Sequence, residues 1–455
     1  AAFGLPLRMS SYHTTQHLLK SLDSFTCDGI FQVKTIATTV DNWPIKQVLL
    51  NANTDEAAKL TDDKLRVLIS FGIHGREYFA SELGFRFMDT LCNSKSARVK
   101  SLLKNTAFAM VPIMNPSGRS RTDAAEGRGG DLRSQACYDR RKNGNLVDMN
   151  RNFDHHWNPG ESMGLFGQGP DPNADDYSGP DAASEVEVVA LQDLARRWKP
   201  HMYIDVHTGT RAMYTPWNWK KDTPPSNQTE GNAMLDLLAA VQEATGDDGE
   251  SIWRDPVSEK NREATGDDGE SIWRDPVSEK TEKPLAGVGG VISYEAAGTA
   301  SDYMYGVGGA QYSFIFETFE EDGSWRRSAQ ANGADLSMRG GRPKRLPRGG
   351  GQSLDWRSAQ RPSSARLKRY YSLLQKSASD NLVPATSGLR KASLGYNATH
   401  AQQEMSLPSS WATDSCFSYF NPVTTSSLDR WLDAWEQALL VANERLVTDR
   451  ELHLI

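Results

Sequence analysis

No apolar run in this 455-residue sequence approaches the ~20 residues that a membrane-spanning helix needs. Charge of one sign is also scarce: the formal net charge is only −7, which argues against a general nucleic-acid binder. Cysteine is sparse. Cys27, Cys92, Cys137 and Cys416 are too scattered for a zinc ribbon or a CxxC redox pair, and four residues allow two disulfides or four free thiols. The opening "AAFGLPLRMS" has neither Met nor a long apolar stretch, so it does not read as an intact signal peptide. That leaves room for a leader or propeptide removed beforehand. The triplets Asn227-Gln228-Thr229 and Asn397-Ala398-Thr399 fit secretion weakly.

What is present alternates between two periods. "LRVLISF" (65–71), "AFAMVPI" (107–113), "MYIDV" (202–206) and "SFIF" (313–316) are short apolar runs of the kind that form buried strands. Between them lie amphipathic segments. Phe79, Leu83, Phe87 and Leu91 recur every four residues, and "SEVEVVALQDLARRW" (184–198) opens with the capping pattern of Ser184 and Glu187. This order implies an α/β fold: one globular domain with a mixed, mostly parallel central sheet flanked by helices.

Two stretches interrupt it. "EATGDDGESIWRDPVSEK" occurs at 243–260 and again, letter for letter, at 263–280, which reads as a recent duplication or a sequence-assembly error. Residues 323–366, centred on "RGGRPKRLPRGGG", are poor in large apolar residues and read as a disordered insert, with a basic binding tail as the alternative. Beyond it, Leu428, Trp431, Leu432, Trp435 and Leu439 form an apolar face that requires a partner. The expected organisation is a main domain at 1–322, the insert at 323–366, and a segment at 367–455 whose helix completes the domain.

The chemistry begins at "FGIHGRE". His74 and Glu77 lie just past the end of an apolar strand, where α/β sheets place their ligands. His207 ends another such strand in "MYIDVHTGT". Two His and one Glu, with a water, suit catalytic zinc, although an H-x-x-E pair alone also occurs by chance at helix starts. "RRKNGNLVDMNRNFD" (140–154) is either a solvated charged loop or a carboxylate grip, because an Arg fork matches two carboxylate oxygens and a second Arg could stabilise an oxyanion. Glu317, ending "YSFIFE", could serve as a general base or be an ordinary acid beside Glu320 and Glu321.

Taken in order, "HGRE", "NPSGR" (115–119), "VDMNRNFD" (147–154), "YSGPDAASEVEV" (177–188), "DVHTG" (205–209), "YEAAGTASDYMYG" (294–306) and "YSFIFETF" (312–319) resemble the zinc carboxypeptidases of the pancreatic carboxypeptidase A type. The resemblance covers roughly residues 12–320. It implies one zinc per chain on His74, Glu77 and His207, with Asp148 hydrogen-bonded to the first His. It assigns Arg76, Asn150, Arg151 and Tyr294 to the substrate, Arg141 (with Arg140 as fallback) to the scissile carbonyl, and Glu317 as the base. Ser301 falls at the bottom of the specificity pocket, which implies apolar or aromatic C-terminal residues; a one-residue slip would put Asp302 there instead. The pancreatic enzymes have a disulfide near Cys137, whose partner by position is absent here. The implied substrate is the C-terminus of a peptide or protein, and the implied protein is a secreted monomer with no nucleic-acid partner. Rival readings are a zinc amidohydrolase acting on acylated amino acids, and a non-catalytic binding protein on the same fold.

Overall fold

The computed structural model describes residues 12–61, 63–125, 131–157, 171–220, 225, 227–244, 284–320 and 414–451. The segment 323–366, the second copy of the duplication and all but the first two residues of its first copy lie outside them.

Eight strands form one sheet: β1 (Phe31–Thr38), β2 (Pro44–Leu50), β3 (Leu65–Phe71), β4 (Thr106–Val111), β5 (Met202–His207), β6 (Arg211–Thr215), β7 (Leu285–Val288) and β8 (Tyr312–Thr318). Their order is β1-β2-β4-β3-β5-β8-β6-β7. The four central strands β4, β3, β5 and β8 are parallel. They are the four runs expected from sequence, because strands covered on both faces must be apolar throughout. Antiparallel pairings at β1/β2, β2/β4 and β6/β8 extend the sheet on both sides, so it is mixed.

One apolar cluster packs on each face of the sheet. Helix Tyr78–Asn93 buries Phe79, Leu83, Phe87 and Leu91 in the first. The final helix, Thr425–Glu451, lays Leu428, Trp431, Leu432, Trp435 and Leu439 into the same cluster, with the Trp435 ring 5.8 Å from that of Phe316 on β8. Burying an apolar side chain of that size is worth about 1.5–3 kcal/mol, so this helix is part of the core despite its distance along the chain. Among the described residues, no helix is long and apolar enough to cross a membrane.

Helix Val186–Trp198 corrects one expectation. Its N-cap is Glu185, and no capping box forms. The Ser184 hydroxyl is taken by Asn152 and Glu185, and Glu187 accepts from Asn143, so both polar groups serve neighbouring loops instead. All four cysteines are paired, Cys27 with Cys92 and Cys137 with Cys416. Cys137 thus finds its partner 279 residues away, in the helix Ser415–Phe420.

Candidate metal centre and active site

Strand β3 ends at Phe71, and the chain then turns through Gly72 at φ +65°, a conformation that favours glycine. Gly75 is required for a different reason: a Cβ there would sit 2.1 Å from the backbone carbon of Gly118. This close approach is secured by Asn115, which caps its own helix by accepting from Gly118 N and donates to the carbonyls of Ile73 and Arg141. "NPSGR" therefore builds the bed on which "HGRE" lies.

That bed and strand β5 bring three donors together. His74 Nδ1 is 2.6 Å from Glu77 Oε1, His207 Nδ1 is 3.2 Å from Glu77 Oε2, and the two Nδ1 atoms are 3.2 Å apart. All three side chains are buried. Each imidazole turns its other nitrogen to a carboxylate: His74 Nε2 lies 3.2 Å from Asp148 Oδ1, and His207 Nε2 lies 2.8 Å from Asp205 Oδ2. A carboxylate at Nε2 favours the proton there and leaves the Nδ1 lone pair facing the centre. Two neutral imidazoles and a carboxylate are the donor set of a catalytic zinc site, so these residues fit that ion.

Asp205 was not singled out in the sequence. Its signal was the two-residue spacing to His207 on a strand, which puts both side chains on one face. Ser70 Oγ, from β3, donates to its other oxygen at 2.6 Å.

Glu317 is the register partner of His207 across β5 and β8. Its Oε2 is sealed from solvent and has no hydrogen-bond partner. Burial pushes its pKa up to about 8, with repulsion from Glu77 adding to the rise and attraction to Arg141 opposing it.

Arg141 and Arg140 diverge. Arg141 lines the cavity, donates Nε to Asp148 at 2.8 Å and holds Nη1 3.2 Å from His74 Nδ1. Arg140 turns away to Asp414 at 2.7 Å. Asp148 also accepts from Asn150 N at the start of the 3₁₀ turn Met149–Arg151. Despite burial, the charge of Arg141 holds Asp148 well below its ordinary pKa. Asn150 accepts from Ala300 N at 2.9 Å, and Arg151 Nη2 donates to the Tyr294 hydroxyl at 3.1 Å. Gly298 at φ +67° lets the Tyr294 loop press against this turn, since a Cβ there would lie 2.4 Å from the Arg151 carbonyl oxygen.

Two expectations change. Arg76 lines the cavity, but its guanidinium is already engaged in part: Asp175 takes both of its Nη atoms at 2.9 Å, and the Phe420 ring centre lies 4.2 Å from its Cζ. Ser301 does not line the cavity. It is fully buried and bonded to Asn218 Nδ2 at 2.9 Å, and Asn218 is the residue that reaches the cavity wall. The neighbouring Asp302 is directed to the amides of Asn218 and Trp219 and to the Asn218 side chain, so it does not reach the cavity either.

Comparison with known proteins agrees with this centre. A family model described as zinc carboxypeptidase matches residues 18–326, more than half of the chain. Carboxypeptidase B of Astacus astacus is 26% identical over 239 residues, 51% of this chain and 74% of that one. Zinc carboxypeptidase A 1 of Drosophila melanogaster is 25% identical over 40% of each chain. Human carboxypeptidase A1 is 25% identical over 48% of this chain and 49% of its own. The chain thus spans less than half the length of the last two. Among solved structures, bovine thrombin-activatable fibrinolysis inhibitor in complex with tick carboxypeptidase inhibitor has a TM-score of 0.49 at 20% identity, covering 69% of this chain and 88% of that one. Carboxypeptidase A from Helicoverpa armigera has a TM-score of 0.44 at 20% identity, covering 68% and 65%. This chain belongs to the zinc carboxypeptidase family.

Proposed function

We propose that this chain is a zinc-dependent carboxypeptidase that removes one residue at a time from the free C-terminus of a peptide or protein. The observation that carries the reading is the unpartnered Glu317 Oε2 one strand across from His207, beside the His74–Glu77–His207 donors. This half-buried carboxyl has an unpartnered oxygen, and the charge of a bound zinc would lower its raised pKa so that it can accept a proton.

Zinc held by His74, Glu77 and His207 would supply a Lewis acid that polarises the scissile carbonyl and acidifies an attacking water. Glu317 takes the water's proton at its open oxygen and passes it to the departing amine. Arg141, its guanidinium fixed by Asp148, offers Nη1 to the developing oxyanion. Arg151 and Asn150 grip the terminal carboxylate, and Tyr294, already bonded to Arg151, closes beside it. That grip is the reason the activity is exopeptidic.

The cavity includes Asn218, Tyr214, Thr299, Ala296 and Ile315 on its walls. Asp302 is occupied by backbone amides, so a buried ammonium or guanidinium would have no free acid there to pair with. Apolar or aromatic C-terminal residues are therefore the proposed preference. Two disulfides suit an oxidising compartment, and a secreted monomer is the corresponding proposal. The catalytic unit is residues 1–322, completed by the helix of the 367–455 segment.

The test is a peptide with a free C-terminus against its amidated twin, with zinc-loaded protein. Release of a single residue from the acid and none from the amide is expected. Equal cleavage of both would show that the free carboxylate is not gripped and would overturn this reading.

A further inference from the structure

Helix Tyr78–Asn93 starts without a side-chain cap of its own. The first amides of a helix lack intrahelical partners, and the N-cap side chain commonly accepts from one of them. The N-cap here is Glu77, whose two oxygens face His74, His207 and Thr208 N instead. A residue that serves the metal centre is unavailable to its own helix.

The missing bond comes from 342 residues away. Phe79 N donates to Asn421 Oδ1 at 3.0 Å. The same side chain donates Nδ2 to the Arg76 carbonyl at 2.9 Å and to the Phe417 carbonyl at 3.0 Å. Asn421 is fully buried and so bonds the backbone on both sides of Glu77. Its own placement is fixed nearby by the Cys137–Cys416 disulfide and the buried Arg140–Asp414 pair. The match to the zinc carboxypeptidase family ends at residue 326, well before this segment.

We propose that Asn421 is a positioning residue for the metal centre: it caps the helix in place of Glu77 and holds the Glu77 carboxylate on the zinc. The inference rests on reading Glu77 as a zinc ligand. It acts through backbone, so its signature is metal affinity rather than proton transfer.

The experiment is chelator competition for zinc on the full chain, with melting of the metal-free form alongside. Asn421→Ala removes the acceptor and the donor together, and should weaken zinc binding roughly 10–100-fold, the size expected for groups that orient ligands. Asn421→Asp keeps an acceptor for Phe79 N and should fall between wild type and Ala. Asn443→Ala is the control, a buried Asn on helix Thr425–Glu451 that, among the described residues, bonds its own helix at Leu439; it should lower melting without moving zinc affinity. Wild-type affinity in a folded Asn421→Ala overturns the inference, and if that variant fails to fold, wild-type affinity in Asn421→Asp does so. A loss of affinity in Asn443→Ala equal to that in Asn421→Ala overturns it as well. Failure of wild type to bind zinc would instead overturn the ligand reading, and this inference with it.

Discussion

His207 and Glu317 stand side by side at the carboxyl ends of two adjacent parallel strands, as register partners of β5 and β8. The sheet therefore sets the spacing between the proposed metal ligand and the proposed base, and no flexible loop intervenes. Ligand and base are held by the same ladder of backbone hydrogen bonds, which is the kind of rigid support that keeps catalytic geometry within a few tenths of an ångström.

The carboxylates behind the imidazoles give a first prediction. Asp205→Asn leaves a side chain of the same size but replaces the carboxylate at His207 Nε2 with a neutral amide. Zinc affinity should fall roughly 10–100-fold, and the loss should appear in chelator competition before any change in overall fold. Unchanged affinity would remove Asp205 from the centre.

Specificity gives a second. A panel of peptides differing only in the last residue should show Phe or Leu released faster than Lys or Arg. Asn218→Asp places an acid on the cavity wall and should shift the ratio towards the basic residues. Faster release of Lys or Arg by wild type would show that an acid does reach the pocket.

Acid stability gives a third. His201 accepts from Arg66 N through Nδ1, and burial, helped by the charge of Arg66, lowers its pKa to about 4 from an ordinary 6.5. Between those values the unfolded chain binds more protons than the folded one. The contribution is thus fully present above pH 6.5 and is lost as pH falls towards 4; for a shift of this size it is at most about 3 kcal/mol. Melting of the metal-free protein should drop less between pH 7 and 4.5 in His201→Asn than in wild type. Parallel pH profiles would contradict this.

A fourth concerns residues 323–366, which lie outside the described residues. Their composition supplies little apolar surface for a core, and loop-closure entropy changes slowly with length. Replacing them with a short Gly/Ser linker should leave melting temperature and zinc content unchanged. Aggregation of that variant would show that the segment is structural.

The sequence made the centre of this fold legible and its periphery much less so. β3, β4, β5 and β8 are covered on both faces, so their apolar runs are continuous. The edge strand β1 has no fully buried residue, and β7 is only Leu285–Val288, so neither stood out. His74, Glu77, His207 and Glu317 were readable because strand ends and motif order marked them. Asp205 could have been read from its two-residue step to His207. Asp175 on Arg76, Cys416 on Cys137 and Asn421 at the start of the helix had no local signal, because each partner is 99 or more residues away. The misplacement of Ser301 has a different cause: alignment fixes a position in the chain, whereas the intervening Asn218 side chain decides what reaches the cavity.

The most direct test of the central claim is zinc content measured beside turnover in Glu317→Gln. The substitution keeps the size of the side chain and removes the proton acceptor. One zinc per chain, as in wild type, with turnover lower by about 10²–10⁴-fold is the predicted result. Turnover within a few-fold of wild type at full zinc occupancy would contradict it and remove Glu317 from the mechanism.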